Sequence, residues 1–98
     1  MVIITKRILN EFADIYSDAE NALNHWMETV KEANWRNGGD VRQNFRDADF
    51  VGDNRWVFNI RGNKYRLVAM IFFSTRTVFI RFIGTHKEYD AIEDISTI

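Results

Sequence analysis

The 98-residue sequence predicts an α+β domain in which two amphipathic helices cover one face of a curved, mainly antiparallel sheet. Two patterns carry that reading. Apolar residues recur at helical spacing from Ile8 to Ala33, and they alternate with period two from Arg55 to Ile83. A third observation fixes the layering: two apolar helix stripes need an apolar partner, and the Trp56, Leu67 and Ile80 faces of three successive strands supply it. A chain this short closes around one core, so residues 1–98 form one domain.

The elements follow in order. Val2-Ile3-Ile4-Thr5 is short and β-branched, which favours a first strand. Ile8, Leu9, Phe12, Ile15 and Tyr16 then share one side of a helix. Ser17-Asp18-Ala19-Glu20 has capping-box spacing and predicts the start of a second helix with an Ala19, Ala22, Leu23, Trp26, Met27, Val30 and Ala33 stripe. Asn37-Gly38-Gly39 breaks the pattern, and a mixed stretch runs on to Asp47. Trp56, Phe58 and Ile60 share a face of the next strand, and Gly62-Asn63 reads as a two-residue hairpin turn. Tyr65, Leu67, Ala69, Ile71 and Phe73 share a face of the following strand. After Ser74-Thr75-Arg76, the last strand puts Val78, Ile80 and Phe82 on one side and Phe79, Arg81 and Ile83 on the other. Thr85-His86-Lys87-Glu88 is a second capping box, opening a short helix to about Ile92.

Composition excludes several classes. Hydrophobic residues are 46% of the chain and aromatics 14%, too apolar for a disordered segment. With no Cys there are no disulfides, thiolate nucleophiles or Cys-zinc sites, and His25 and His86 are too few for a multi-His metal centre. No apolar run approaches a membrane span, and the positive charge at Lys6-Arg7 follows the apolar Val2-Ile3-Ile4, the reverse of a secretion signal. The expectation is a cytoplasmic protein without cofactor or metal.

The net charge of −1 conceals a strong asymmetry. Between Asn54 and Lys87 stand Arg55, Arg61, Lys64, Arg66, Arg76, Arg81 and Lys87, with no acid among them. The flanking segments are acidic. Solubility alone favours interspersed signs, so the block points to a polyanion-facing surface. Strand alternation places Arg55, Asn59, Lys64, Arg66 and Arg81 opposite the core face, with Arg61 and Lys87 in the same block. Arginine forks bind phosphate bidentately, and interleaved rings such as Phe72 and Phe79 stack on unpaired bases. His86, Tyr89 and Asp90 fall at i, i+3 and i+4, on one side of the last helix. A His, a Tyr and an Asp beside arginines can transfer protons and stabilise the charge that builds on a phosphate during RNA cleavage. The same face also suits a non-catalytic module that binds nucleic acid or an acidic partner protein.

The segments Lys31-Glu32-Ala33-Asn34-Trp35, Asp53-Asn54-Arg55-Trp56-Val57-Phe58-Asn59-Ile60, Gly62-Asn63-Lys64-Tyr65-Arg66-Leu67, Ile80-Arg81-Phe82-Ile83-Gly84-Thr85-His86 and Glu88-Tyr89-Asp90 together resemble the HigB family of bacterial toxins, within the RelE-like mRNA interferases. The resemblance implies a compact RelE-like fold. It implies a type II toxin that cuts translated mRNA on the ribosome, with the substrate 2′-hydroxyl as nucleophile and no metal. It also implies a cognate antitoxin, often a helix-turn-helix DNA-binding protein. Carried over by position, Arg66 and Arg81 hold the scissile phosphate, Lys64 adds charge, and His86 is general acid or base. Tyr89 stacks on a base or orients the substrate, and Asp90 positions His86. Arg55, Asn59, Arg61 and Lys87 are then RNA-binding candidates. The acidic Glu93-Asp94 departs from the basic ending of many relatives.

Overall fold

The computed structural model describes residues 1–98. Strand β1 (Val2–Ile4) leads into helix α1 (Lys6–Ile15), a 3-10 turn (Ser17–Ala19) and helix α2 (Glu20–Glu32). Helix α3 (Gly38–Asn44) precedes β2 (Asp49–Gly52), β3 (Arg55–Ile60), β4 (Tyr65–Phe72) and β5 (Thr77–Thr85). Helix α4 (His86–Asp90) and a 3-10 turn (Ile95–Thr97) close the chain. The strands form one sheet in the order β1-β5-β4-β3-β2, antiparallel except where β1 pairs with β5.

The core lies where expected. Leu9, Phe12, Leu23, Trp26 and Val30 from the helices are buried with Phe58, Leu67, Ile71, Val78 and Ile80 from the sheet. Burial of these side chains supplies most of the driving force for folding. The ring of Trp26 meets Phe58 edge-on, with centroids 5.3 Å apart.

Four local features differ from the sequence expectations, each for a physical reason. Asn37-Gly38-Gly39 starts helix α3 rather than only breaking a pattern: the Asn37 side chain accepts the Asp40 N–H at 3.0 Å. Gly38 is needed there, because a Cβ would stand 2.9 Å from the Trp56 ring. The sheet also gains an edge strand, β2, joined to β3 by Asp53 and Asn54, both at positive φ (48° and 64°). Those residue types tolerate the left-handed turn that a tight hairpin requires.

The β3–β4 connection is longer than Gly62-Asn63. Ile60 pairs with Tyr65, leaving Arg61 to Lys64 as a four-residue turn. Arg61 and Gly62 take φ of 53° and 64°. In β5 a bulge breaks the alternation. Ile80 pairs with Ala69 but Phe82 pairs with Val68, so Arg81 is the extra residue. Beyond it Ile83 pairs with the buried Leu67 and packs against the core, and Phe82 moves to the opposite face with Val68. Gly84 accommodates that shift, since a Cβ there would come within 2.6 Å of the Phe82 ring.

The face turned away from α1 and α2 is not a bare charged surface. Val57 and Val68 are buried on it, and the turn Ile95–Thr97 lies against β2. The acidic ending is therefore folded back onto the sheet rather than hanging free. Within it the Asp94 side chain accepts from the Ser96 N–H at 3.0 Å and from its hydroxyl at 2.6 Å. No helix of the protein is long and apolar enough to cross a membrane.

Candidate active site

Asn59, Arg61, Lys64, Arg66, His86, Lys87, Tyr89 and Asp90 lie at the end of the sheet formed by the β3–β4 turn and the β5–α4 junction, while Arg81 stands further back, on the β5 bulge. The second capping box does its work here. Thr85 Oγ1 accepts the Glu88 N–H at 3.1 Å, and Glu88 Oε1 accepts the Thr85 N–H at 2.8 Å. The His86 N–H is bound in turn to the Lys64 carbonyl at 3.2 Å, which ties α4 to the hairpin turn. His86 is half-buried, and its Nδ1 stands 2.8 Å from Asp90 Oδ2. That bond fixes the ring by one nitrogen and leaves Nε2 for a substrate. Tyr89, one helical turn from His86, is half-buried too. Burial, then the nearby Asp49 carboxylate, pushes its phenol above the usual range, and Arg66 opposes them. Tyr89 therefore stays protonated at neutral pH, with a hydroxyl able to donate a hydrogen bond.

The cations divide into those already paired and those left over. Arg61 Nη1 lies 2.8 Å from Asp18 Oδ2, and the Lys64 ammonium bonds the same oxygen. Lys64 thus belongs to the turn and reaches the helix side, not the second face where strand alternation put it. Arg66 remains on that face, held by the Asn63 side-chain oxygen at 2.5 Å and by no carboxylate. Arg81, on the bulge, and Lys87, in the first turn of α4, are exposed and have no acidic partner. Of the candidate cations from Arg61 to Lys87, Arg66, Arg81 and Lys87 are those that no carboxylate holds. Asn59 pairs with Arg66 across β3–β4 and donates to Asp47 Oδ2 at 2.8 Å.

Arg55 does not join this cluster. It sits four residues before Asn59, about 13 Å away along an extended strand. Its guanidinium binds the main-chain oxygen of Ile98 through Nε at 2.9 Å and Nη2 at 2.6 Å. Arg76 lies in the β4–β5 turn at the far end and donates to Asn34.

Sequence comparison decides the kinship. A family model described as the RelE-like toxic component of a toxin-antitoxin system matches residues 19–92. The mRNA interferase toxin HigB of Escherichia coli K12 is 33% identical over 92 residues, 92% of this chain and 88% of its own. The mRNA interferase HigB of Escherichia coli O6:H1 is 32% identical over 94 residues, 94% of this chain and 91% of its own. The chain belongs to the HigB toxin family.

In this HigB-family chain the matched segment contains every candidate named above from Arg55 to Asp90. Asp18 lies one residue before it, and the sequence pattern gave it only a capping role. The structure shows no side-chain cap at the start of α2, and the Asp18 carboxylate points instead to Arg61, Lys64 and the Tyr65 hydroxyl, the last at 2.6 Å. Tyr65 is 2% exposed, so its hydroxyl is the polar tip of a core residue. A buried Tyr on the core face facing a short helical connection was the one available hint, because a buried phenol seeks a partner.

Proposed function

We propose that this HigB-family toxin is an endoribonuclease that cuts translated mRNA in the cytoplasm on the ribosome, and that His86, Tyr89, Asp90, Arg66, Arg81 and Lys64 carry the chemistry. The observation that supports it best is the juxtaposition of a His86–Asp90 pair with cations that have no carboxylate of their own. Such cations beside a proton-transfer group suit a phosphodiester more than an acidic protein face.

The reaction balances without any group outside the protein and RNA. The substrate 2′-hydroxyl attacks the adjacent phosphorus and gives up its proton. A bond from O2′ to phosphorus forms, the bond to O5′ breaks, and the leaving oxygen takes a proton. The products are a 2′,3′-cyclic phosphate and a 5′-hydroxyl. His86 moves the proton, Asp90 fixes its ring, and Tyr89 donates a hydrogen bond or stacks on a base. Arg66 and Arg81 stabilise charge on the equatorial oxygens, and Lys64 adds to the positive field.

A cognate antitoxin is the protein partner, which we take to be a helix-turn-helix DNA-binding protein. The half-buried Phe72 and Phe79, ring centroids 5.8 Å apart, offer it an aromatic patch. The test of the chemistry is a defined mRNA on translating ribosomes with one 2′-deoxynucleotide at the cut position. Loss of that cut, with cyclic phosphate ends at all others, is expected. Cutting at the deoxy position would rule out 2′-hydroxyl attack.

A further inference from the structure

A cavity of about 540 Å³ opens where the α1–α2 junction meets the β3–β4 turn and the start of α4, walled by Tyr16, Asp18, Lys64, Tyr65, His86 and Lys87 among others. Lys64, His86 and Lys87 belong to the site already described, and Asp18 does not. It comes from the N-terminal helical layer, yet it is the only carboxylate lining the cavity.

We propose that Asp18 is a positioning residue for RNA cleavage: it gathers Arg61, Lys64 and Tyr65 and so holds the Lys64 ammonium on the cavity wall that His86 also lines. This rests on the endoribonuclease reading above.

Three geometric facts carry the inference. First, one carboxylate takes three donors: Oδ2 accepts from Arg61 and Lys64, and Oδ1 from Tyr65. Second, Lys64 sits in an exposed four-residue turn, and apart from the Tyr65 ring, whose centroid is 5.6 Å from its ammonium, Asp18 is the group that holds its long side chain. A flexible ammonium loses rotamer freedom when it binds a phosphate, and a preformed bond removes that cost beforehand. Third, the Lys64 carbonyl accepts the His86 N–H, so the turn that Asp18 anchors is the same turn that seats the proton-transfer residue. The ammonium keeps two further donors for a phosphate oxygen, and Arg61 keeps four. The clamp therefore leaves a net positive wall rather than a neutralised one.

The Asp18 bonds also hold Lys64 charged, pushing its ammonium above the usual lysine range, and keep the Tyr65 hydroxyl protonated.

The experiment compares wild type, Asp18→Asn, Asp18→Lys and the charge-exchanged pair Asp18→Lys with Lys64→Asp, all as the full chain, by thermal melting and on translating ribosomes carrying a defined mRNA. Asp18→Asn is expected to lower the single-turnover rate at saturating ribosome by on the order of 10- to 100-fold, as displaced catalytic groups do. The exchanged pair is expected to recover the melting temperature lost in Asp18→Lys alone but not the cleavage rate, because the ammonium then stands on the wrong side of the cavity. If cleavage returns together with stability, or if Asp18→Asn cuts at the wild-type rate, Asp18 is structural only and the proposal falls. Should the exchanged pair fail to fold, the Asp18→Asn rate decides alone. Wild type that makes no cuts would instead overturn the endoribonuclease reading, a separate result from either.

Discussion

His86 and Asp90 stand one helical turn apart, and their 2.8 Å contact is the kind of pairing that local spacing reveals. We expect His86→Ala to slow cleavage by on the order of 10²- to 10⁴-fold, the usual worth of a proton-transfer residue. Its side chain is half exposed, so the melting temperature should hold; an unchanged rate would remove His86 from the mechanism. Asp18 is the opposite case. Its partners Arg61 and Tyr65 are 43 and 47 residues away, and no periodicity relates them. Hydrogen bonds from Lys64 and Tyr65 hold its carboxyl below the ordinary carboxylate range. A depressed folded-state value means the contribution to stability is complete above roughly pH 4, the ordinary aspartate value, and is lost as pH falls through the lower folded value. Acid unfolding followed by circular dichroism should show that extra loss in wild type, and Asp18→Asn should show a flatter acid limb. Equal slopes would mean that the clamp adds nothing to the folded state.

At the level of elements, α1, α2, β3, β4, β5 and the capped α4 were readable because each carries a regular period or a turn signal. Helix α3 and strand β2 were not. Gly38 and Gly39 oppose a helix by propensity, and it forms because Asn37 caps it and Val41 is fully buried beneath it. The β5 bulge was equally hidden, since Val78, Ile80 and Phe82 alternate as though the strand were regular. What reveals it is packing: Phe82 sits over Gly84, and Ile83 takes the core side. Gly84→Ala should therefore cost about 1–3 kcal/mol, the range for forcing an extra methyl into a packed site. Equilibrium denaturation measures this directly. A neutral result would show that the Phe82 ring turns aside freely and that the bulge does not depend on Gly84.

Across the whole molecule, the acid-free block from Asn54 to Lys87 announced a polyanion-facing surface, but not which of its charges remain available. Folding assigns them. Arg61 and Lys64 share Asp18, Arg55 is held by Ile98, Arg76 by Asn34 at the far end, and Arg66, Arg81 and Lys87 are left without a carboxylate. This division has a measurable consequence. Binding to a single-stranded RNA oligonucleotide should weaken steeply with salt, and Arg81→Ala or Lys87→Ala should each reduce the log–log slope by about 0.7, the value per phosphate contact. Arg55→Ala should leave the slope unchanged. A slope that responds to Arg55 and ignores Arg81 would place the RNA at the other end of the sheet.

Mapping of 5′ ends in mRNA from translating cells, after a brief induction of wild type or Arg81→Ala, tests ribosome-linked cleavage most directly. New ends inside reading frames, phased with codons and absent in the variant, are the expected result. Intact reading frames in the presence of folded wild-type protein would contradict it and leave the basic surface a binding site alone.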